Sequence, residues 1–435
     1  MNRRTFLKTG AVAATGPLLS ELASAADQPD IHHVVLVMME NRSFDHLLGW
    51  LPNADGKQAG LQFPNPSGGV NQTFELAPDF TGCSYTDPDH SYSGGRTEVN
   101  NGQMNGFLLD TSNQLNAIGY YRAQDLPFRS ALARHYTTCD RYFPSILAPT
   151  FPNRIFQNAG ATDRLDDSFS ISKLPTIWDH LAAKGVSHQY YFNNLPFLAL
   201  WGLKYLDICS KYSDFIAACA AGTLPAVSFV DPSFTTIDNL DDDDHPFSDV
   251  RNGDAFLAKT FRAVSSSPNW PNTVLIINFD EWGGFYDHVP PPRALAPNNV
   301  DPDLVDGKAL LGIRVPCIVA SPWTLGNPSS PRVNHTVFDH TSVLKLIESV
   351  FDVPPVAARE TSNDVGNLME VLSDTYEPTV PALPDPGYVI PSSLCASSIG
   401  GPEATAARKD DEPTTFLKML ESDFVRSFLE RRPSR

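Results

Sequence analysis

Apolar residues fall in blocks along this chain, and the polar residues that end those blocks are chemically rich. Val34 to Met39 is an apolar run that stops abruptly at Glu40-Asn41-Arg42-Ser43-Phe44-Asp45-His46. Its length and β-branched content predict a buried strand, and it is far too short to span a bilayer. Thr273 to Phe279 is a second such run, and it ends in Asp280-Glu281-Trp282-Gly283-Gly284. Shorter strands are predicted over 137–143, 188–192, 226–230 and 315–320. Helical spacing covers 127–136, 252–265, 341–350 and 416–429. It also covers 176–184, where Thr176 is placed to cap the start and Gly185 to stop the helix. Strands alternating with helices predict an α/β fold: a mainly parallel central sheet with helices on both faces.

Residues 51–125 break this alternation. They are polar and glycine-rich, and read as long loops and short helices laid over one face. The first residues are different again. Arg3-Arg4 with Phe6-Leu7, a weakly apolar run from Thr9 to Leu22, and Ala23-Ser24-Ala25 resemble a twin-arginine export signal. The expected organisation is a signal peptide over 1–26, one domain over 27–375 and a tail over 376–435 that packs on or extends that domain. The expected location is therefore periplasmic or secreted. No run is long and apolar enough to predict a transmembrane segment.

Composition sharpens this picture in two ways. The formal net charge is −18, which repels phosphate backbones and argues against nucleic acid as a partner. A phosphate ester could bind only where a local positive site, such as a metal, overcomes that field. The six cysteines show no metal-binding spacing. Cys209 and Cys219 are close enough to pair across a short loop, and Cys317 reads as a buried thiol.

Ligands in parallel α/β sheets collect beyond the carboxyl ends of the strands. Both long runs end there in oxygen donors: Glu40-Asn41 and Asp280-Glu281. Adjacent carboxylates repel unless a cation relieves them, and all-oxygen donors suit Ca²⁺, Mg²⁺ or Mn²⁺. The alternative for each pair is a helix cap with a first-turn acid. Thr150 lies between Pro149 and Pro152. It reads either as a helix N-cap after a proline turn or as a hydroxyl held stiffly enough to be a nucleophile, activated by a metal. Among the histidines, His90 in Asp87-Pro88-Asp89-His90 and His245 after four aspartates are the candidates for proton transfer or anion binding. His288 is balanced between a catalytic and a structural part. His340 reads as structural, with Asp339 or Thr341 capping the helix beside it.

Four stretches together resemble one family: VVLVMMENRSFDHLLG (34–49), APTFPNR (148–154), FDEWGGFYDHVPPP (279–292) and DHTSVLKLIE (339–348). It is the bacterial phosphoesterase family that includes phosphatidylcholine-preferring phospholipases C and respiratory-burst-inhibiting acid phosphatases. The resemblance implies an alkaline-phosphatase-like fold and one divalent metal ion held by Glu40, Asn41, Thr150, Asp280 and Glu281. It implies Thr150 as nucleophile, with Asn41 and His90 at the phosphoryl oxygens. His245 would protonate the leaving alkoxide, with His288 as the other candidate. Threonine at 150 favours a phospholipase C acting on phosphatidylcholine, with transient contact at a membrane surface. The chain's length favours an acid phosphatase acting on monoesters. A secreted, non-catalytic, metal-stabilised binding protein is the alternative from another class.

Overall fold

The Val34–Met39 run is the centre of the fold. In this computed structural model, residues 29–234 and 241–389 are described. The twin-arginine segment, the helix expected at 416–429 and Cys395 lie outside them.

In chain order, strand β1 (His33–Met39) leads into the short helix α1 (Phe44–Leu48). The small strands β2 (Gln62–Pro64), β3 (Val70–Gln72) and β4 (Phe74–Glu75) precede α2 (Tyr92–Val99), and β5 (Gly119–Tyr120) follows it. Next come α3 (Pro127–His135), β6 (Thr137–Cys139), α4 (Thr150–Ala159), α5 (Ile177–Lys184), β7 (His188–Phe192), β8 (Cys209–Lys211) and α6 (Tyr212–Ala221). Then follow β9 (Val227–Val230), α7 (Val250–Ser265), β10 (Thr273–Phe279), β11 (Arg293–Leu295), β12 (Lys308–Leu310), β13 (Cys317–Ala320), β14 (Val333–Asn334) and α8 (His340–Phe351).

Eight strands form the central sheet in the order β14-β6-β13-β10-β1-β9-β7-β8. β1 lies parallel to β10 on one side and to β9 on the other. The exception to parallel pairing is β13, which runs against both β10 and β6. β1 and β10 are buried almost throughout because helices cover the sheet. Helices α3, α6 and α7 pack together, and α4, α5 and α8 form a second group. Each fully buried Val, Leu or Ile in these strands contributes about 1.5–3 kcal/mol of apolar transfer, so β1 is costly to displace.

Register carries this rigidity to the strand tips. Met39 is opposite Phe279, and Val37 is opposite Val230. Glu40 and Asp280 therefore leave the sheet side by side, and Asp231 leaves it one strand further on. The expected cap of α5 is present: Asp179 accepts a hydrogen bond from the Thr176 backbone N–H at 3.0 Å, and Gly185 is left-handed. Cys209 and Cys219 are both buried thiols, so the pairing their spacing allowed is not made; Cys83 is disulfide-bonded. The first part of the tail lies against the domain. Asp385 pairs with Arg262 of α7, and the Tyr388 hydroxyl donates to Asp242 at 2.9 Å.

Candidate active site

The tip of β1 turns sharply at Asn41, whose φ of 57° is left-handed. Asparagine tolerates that region better than most residues. The turn brings the Asn41 backbone N–H to Asp280 Oδ1 at 3.2 Å. It also aims the side-chain amide between two other groups. The Thr150 hydroxyl donates to Asn41 Oδ1 at 3.3 Å, and Asn41 Nδ2 donates to His90 Nε2 at 3.3 Å. The amide thus joins three of the residues singled out in the sequence. Gly283 makes the close approach possible: a Cβ there would lie 2.1 Å from the Asn41 carbonyl oxygen, and its φ is +65°.

Thr150 is the first residue of α4, so its hydroxyl sits at the positive end of that helix. The turn before it is fastened by Asn153, whose Nδ2 donates to Ala148 O at 2.7 Å and whose Oδ1 accepts from Ile146 N at 3.2 Å. One turn along the same helix, Arg154 reaches under the strand tips. Its Nη2 lies 3.1 Å from Glu40, its Nε donates to Asp280 at 3.0 Å and its Nη1 meets Asp231 at 3.2 Å. Burial alone would lower the Arg154 pKa, but Glu40, Asp280 and Asp231 together raise it, so the guanidinium is a fixed charge. Neither Arg154 nor Asp231 stands out in the sequence alone. An Asp-Pro pair after a short strand is a weak signal without the register.

One guanidinium thus faces three carboxylates, and Glu281 adds a fourth buried one beside them. Glu281 Oε2 accepts from Gly283 N at 2.7 Å. The surplus of negative charge and the all-oxygen chemistry of Glu40, Asn41, Thr150, Asp280 and Glu281 fit a hard divalent cation. His340 braces this loop from behind. Its Nε2 donates to the Asp280 carbonyl at 2.7 Å, and its Nδ1 accepts from Tyr142. Burial lowers its pKa to about 4, so it is a neutral structural group. Of the two residues expected to cap the helix there, Asp339 does so.

His90 and His245 meet edge to face, with ring centroids 5.9 Å apart. Each donates Nδ1–H to a backbone carbonyl, His90 to Pro88 at 2.8 Å and His245 to Pro246. Their Nε2 atoms face Asn41 and Asp87 respectively. Asp87 lies 3.9 Å from His245 Nε2 and is the most exposed of the group, which marks the solvent side. Asp87, His90 and His245 place one ligand atom each within 4.8 Å of one another, so a cation could also be held there. The His245 loop is bolted to β1: the Glu40 N–H donates to Asp243 O at 2.9 Å, and the His245 N–H donates to Asp243 Oδ1 at 3.0 Å.

His288 belongs elsewhere. Its Nδ1 donates to Asp45 at 2.5 Å, and its Nε2 lies 3.1 Å from Asp55. Arg314 completes that network through Asp45 and Asp287. Asp45, Asp287 and His288 also converge within 4.8 Å, but the Arg314 guanidinium already supplies the positive charge. Arg42, Ser43 and Asp45 fasten loops. Arg42 Nε donates to Asp244 O at 2.8 Å, and Ser43 Oγ donates to Tyr286 O.

Comparisons with known proteins place the chain in a family. The chain belongs to the Phosphoesterase family, whose model matches residues 31–354, and it is a hydrolase acting on phosphoric ester bonds. It is similar to Non-specific phospholipase C6 of Arabidopsis thaliana, at 30% identity over 84% of this chain and 75% of that protein. It is also similar to Phospholipase C B of Mycobacterium tuberculosis, at 32% identity over 81% of this chain and 82% of that protein. A solved structure, a protein in the alkaline phosphatase superfamily from Vibrio parahaemolyticus, matches over 79% of this chain and 70% of its own. That match has 12% identity and a TM-score of 0.39. No described helix is long and apolar enough to cross a membrane.

Proposed function

We propose that this chain is an exported, metal-dependent phosphodiesterase of the phospholipase C type, with Thr150 as its nucleophile. The observation that carries the reading is the hydrogen-bonded line Thr150–Asn41–His90 beside the strand-tip carboxylates. The similarity to plant and mycobacterial phospholipases C supports a phospholipid such as phosphatidylcholine as the substrate.

Glu40, Asn41, Thr150, Asp280 and Glu281 would hold one divalent cation, which lowers the pKa of the Thr150 hydroxyl and offsets charge on the phosphoryl oxygens. The Thr150 hydroxyl releases its proton to solvent, and the resulting Oγ1 alkoxide forms a bond to phosphorus as the bond from phosphorus to the glycerol oxygen breaks; the same alkoxide is regenerated when water later displaces it. His245 passes its Nε2 proton to that leaving oxygen, and diacylglycerol departs. His245 donates from Nε2 only as an imidazolium, because Pro246 holds its other N–H. In the substrate-free structure His90 Nε2 accepts from Asn41; to donate to a phosphoryl oxygen it must be protonated there as well and give up that bond. Water then attacks the threonine-bound phosphoryl group. The Thr150–phosphorus bond breaks, the water's proton returns to His245, and phosphocholine leaves. Stabilising charge on the equatorial oxygens is the main demand of such a transfer.

The test compares hydrolysis of phosphatidylcholine with that of a simple phosphate monoester, with EDTA and with added Ca²⁺ or Mn²⁺. Metal-dependent diester turnover is expected. Turnover of the monoester alone would assign an acid phosphatase, and turnover of neither by metal-loaded protein would assign a binding protein. Export is tested by fractionating cells that carry Arg3→Lys/Arg4→Lys, which should retain the chain in the cytoplasm.

A further inference from the structure

We infer that Glu98, in α2, is a positioning residue that ties the metal-holding loop to the phosphoryl-binding histidine. Glu98 has no exposed surface, and nothing in its local sequence sets it apart from a helix-face acid. Its two carboxylate oxygens serve two different branches. Oε2 accepts from Trp282 Nε1 at 2.6 Å, and Trp282 directly follows Glu281. Oε1 accepts from Asn113 Nδ2 at 2.8 Å. Asn113 Oδ1 in turn accepts from the Asp89 N–H at 2.5 Å, and Asp89 directly precedes His90. One buried carboxylate thus sets the indole beside a metal-holding residue and the backbone beside His90.

The chemistry of the junction makes the carboxylate specific. Burial pushes the Glu98 pKa up, while the Trp282 and Asn113 N–H donors oppose that rise, and their geometry needs an acceptor at each of its two oxygens. An amide cannot accept at both, because its nitrogen would meet a donor with a donor. Asn113 cannot flip to relieve this, since its Oδ1 is needed by Asp89 and its Nδ2 also donates to Phe107 O at 2.9 Å. The helix lies close against the indole as well: a Cβ on Gly95 would come within 2.8 Å of the Trp282 ring. Groups that orient the holders of a metal typically change its affinity by 10–100-fold when removed.

This inference rests on the reading that Glu281 helps hold the metal and that His90 faces the phosphoryl group. The experiment therefore measures two bindings, not turnover. Mn²⁺ affinity is followed by the spectrum of free Mn²⁺, and inorganic phosphate affinity is measured at saturating Mn²⁺. Glu98→Gln should weaken both, each by roughly tenfold. Trp282→Phe should weaken Mn²⁺ and spare phosphate, while Asn113→Ala should weaken phosphate and spare Mn²⁺. A general loss of stability would not split in this way, and the two branch variants keep the test decisive if Glu98→Gln fails to fold. Equal losses from both branch variants, or unchanged binding in Glu98→Gln, would overturn the inference. The controls are Glu281→Gln for Mn²⁺ and His90→Ala for phosphate. If they bind as the wild type does, the functional reading fails and takes the inference with it. If they lose binding and the other variants do not, the inference alone fails.

Discussion

Arg154→Met is the most informative perturbation of the strand tips, because Arg154 is the cation that the folded chain itself supplies. The side chain is 2% exposed and touches Glu40, Asp280 and Asp231 at 3.0–3.2 Å. Methionine keeps much of the stem and removes the charge. At an effective dielectric of about 20, two unit charges about 4 Å apart interact by about 4 kcal/mol. Breaking one partner out of a buried ionic group typically costs about 3–5 kcal/mol, since the opposite charges are left uncompensated. The metal-free variant should therefore lose about 3–5 kcal/mol of stability. A divalent cation should recover part of that loss, because it binds where the carboxylates now lack a counter-charge and stabilises the folded state by mass action. The assay is urea unfolding of wild type and variant, each in EDTA and in saturating Ca²⁺. The variant should be stabilised by Ca²⁺ more than the wild type is. A metal-free loss below about 1 kcal/mol would refute the electrostatic reasoning. Equal Ca²⁺ stabilisation in the two proteins would refute the claim that these carboxylates face the metal.

Three further expectations follow from the same structure. Burial, and then the charge of Glu348, push the Glu360 carboxyl up to about 8. A carboxyl raised by folding makes stability fall as pH climbs from the unfolded value to the folded one, so Glu360→Gln should add roughly 3 kcal/mol near pH 7 and nearly nothing near pH 4. Equal gains at both pH values in urea titrations would contradict this. For His288, burial lowers the pKa, but the hydrogen bond and charge of Asp45 outweigh it and raise the value above the ordinary one. The stability from that contact is complete below the ordinary histidine pKa and is lost as pH rises through the raised one. His288→Gln should thus cost most in mild acid and least in alkali, with turnover per folded molecule preserved; a pH-independent melting shift would count against it. Gly283→Ala places a Cβ 2.1 Å from the Asn41 carbonyl at a left-handed φ. Shifting Asn41 by about 1 Å should lower kcat/KM by about a hundredfold, and wild-type kinetics would show that the close approach is dispensable.

The two strands that build the site were legible because both are buried on both faces and end in a sudden change of residue type. Their pairing register needed the structure, and with it the convergence of Glu40, Asp280 and Asp231 on Arg154. Arg154 lies 114 residues after Glu40 and 77 before Asp231, so no local pattern joins them. The prolines around Thr150 signalled a stiff turn, and the helix start at Thr150 answers both readings of that residue: it opens a helix and also meets Asn41. His245 and His288 look alike in sequence, each close to aspartates and prolines. Only tertiary contacts separate them, one beside His90 and the other between Asp45 and Asp55. Glu98 looked like an ordinary acid on a short polar helix, because its importance lies in the buried donors that two distant loops bring to it.

The central claim is that Thr150 carries the phosphoryl group between the two half-reactions. Its most direct test is rapid acid quenching during turnover of phosphatidylcholine, followed by peptide mass spectrometry. A phosphate ester on the peptide containing Thr150 is expected, together with no ester and little turnover in a folded, metal-binding Thr150→Ala variant. An ester on another residue, or substantial turnover by Thr150→Ala, would contradict the account.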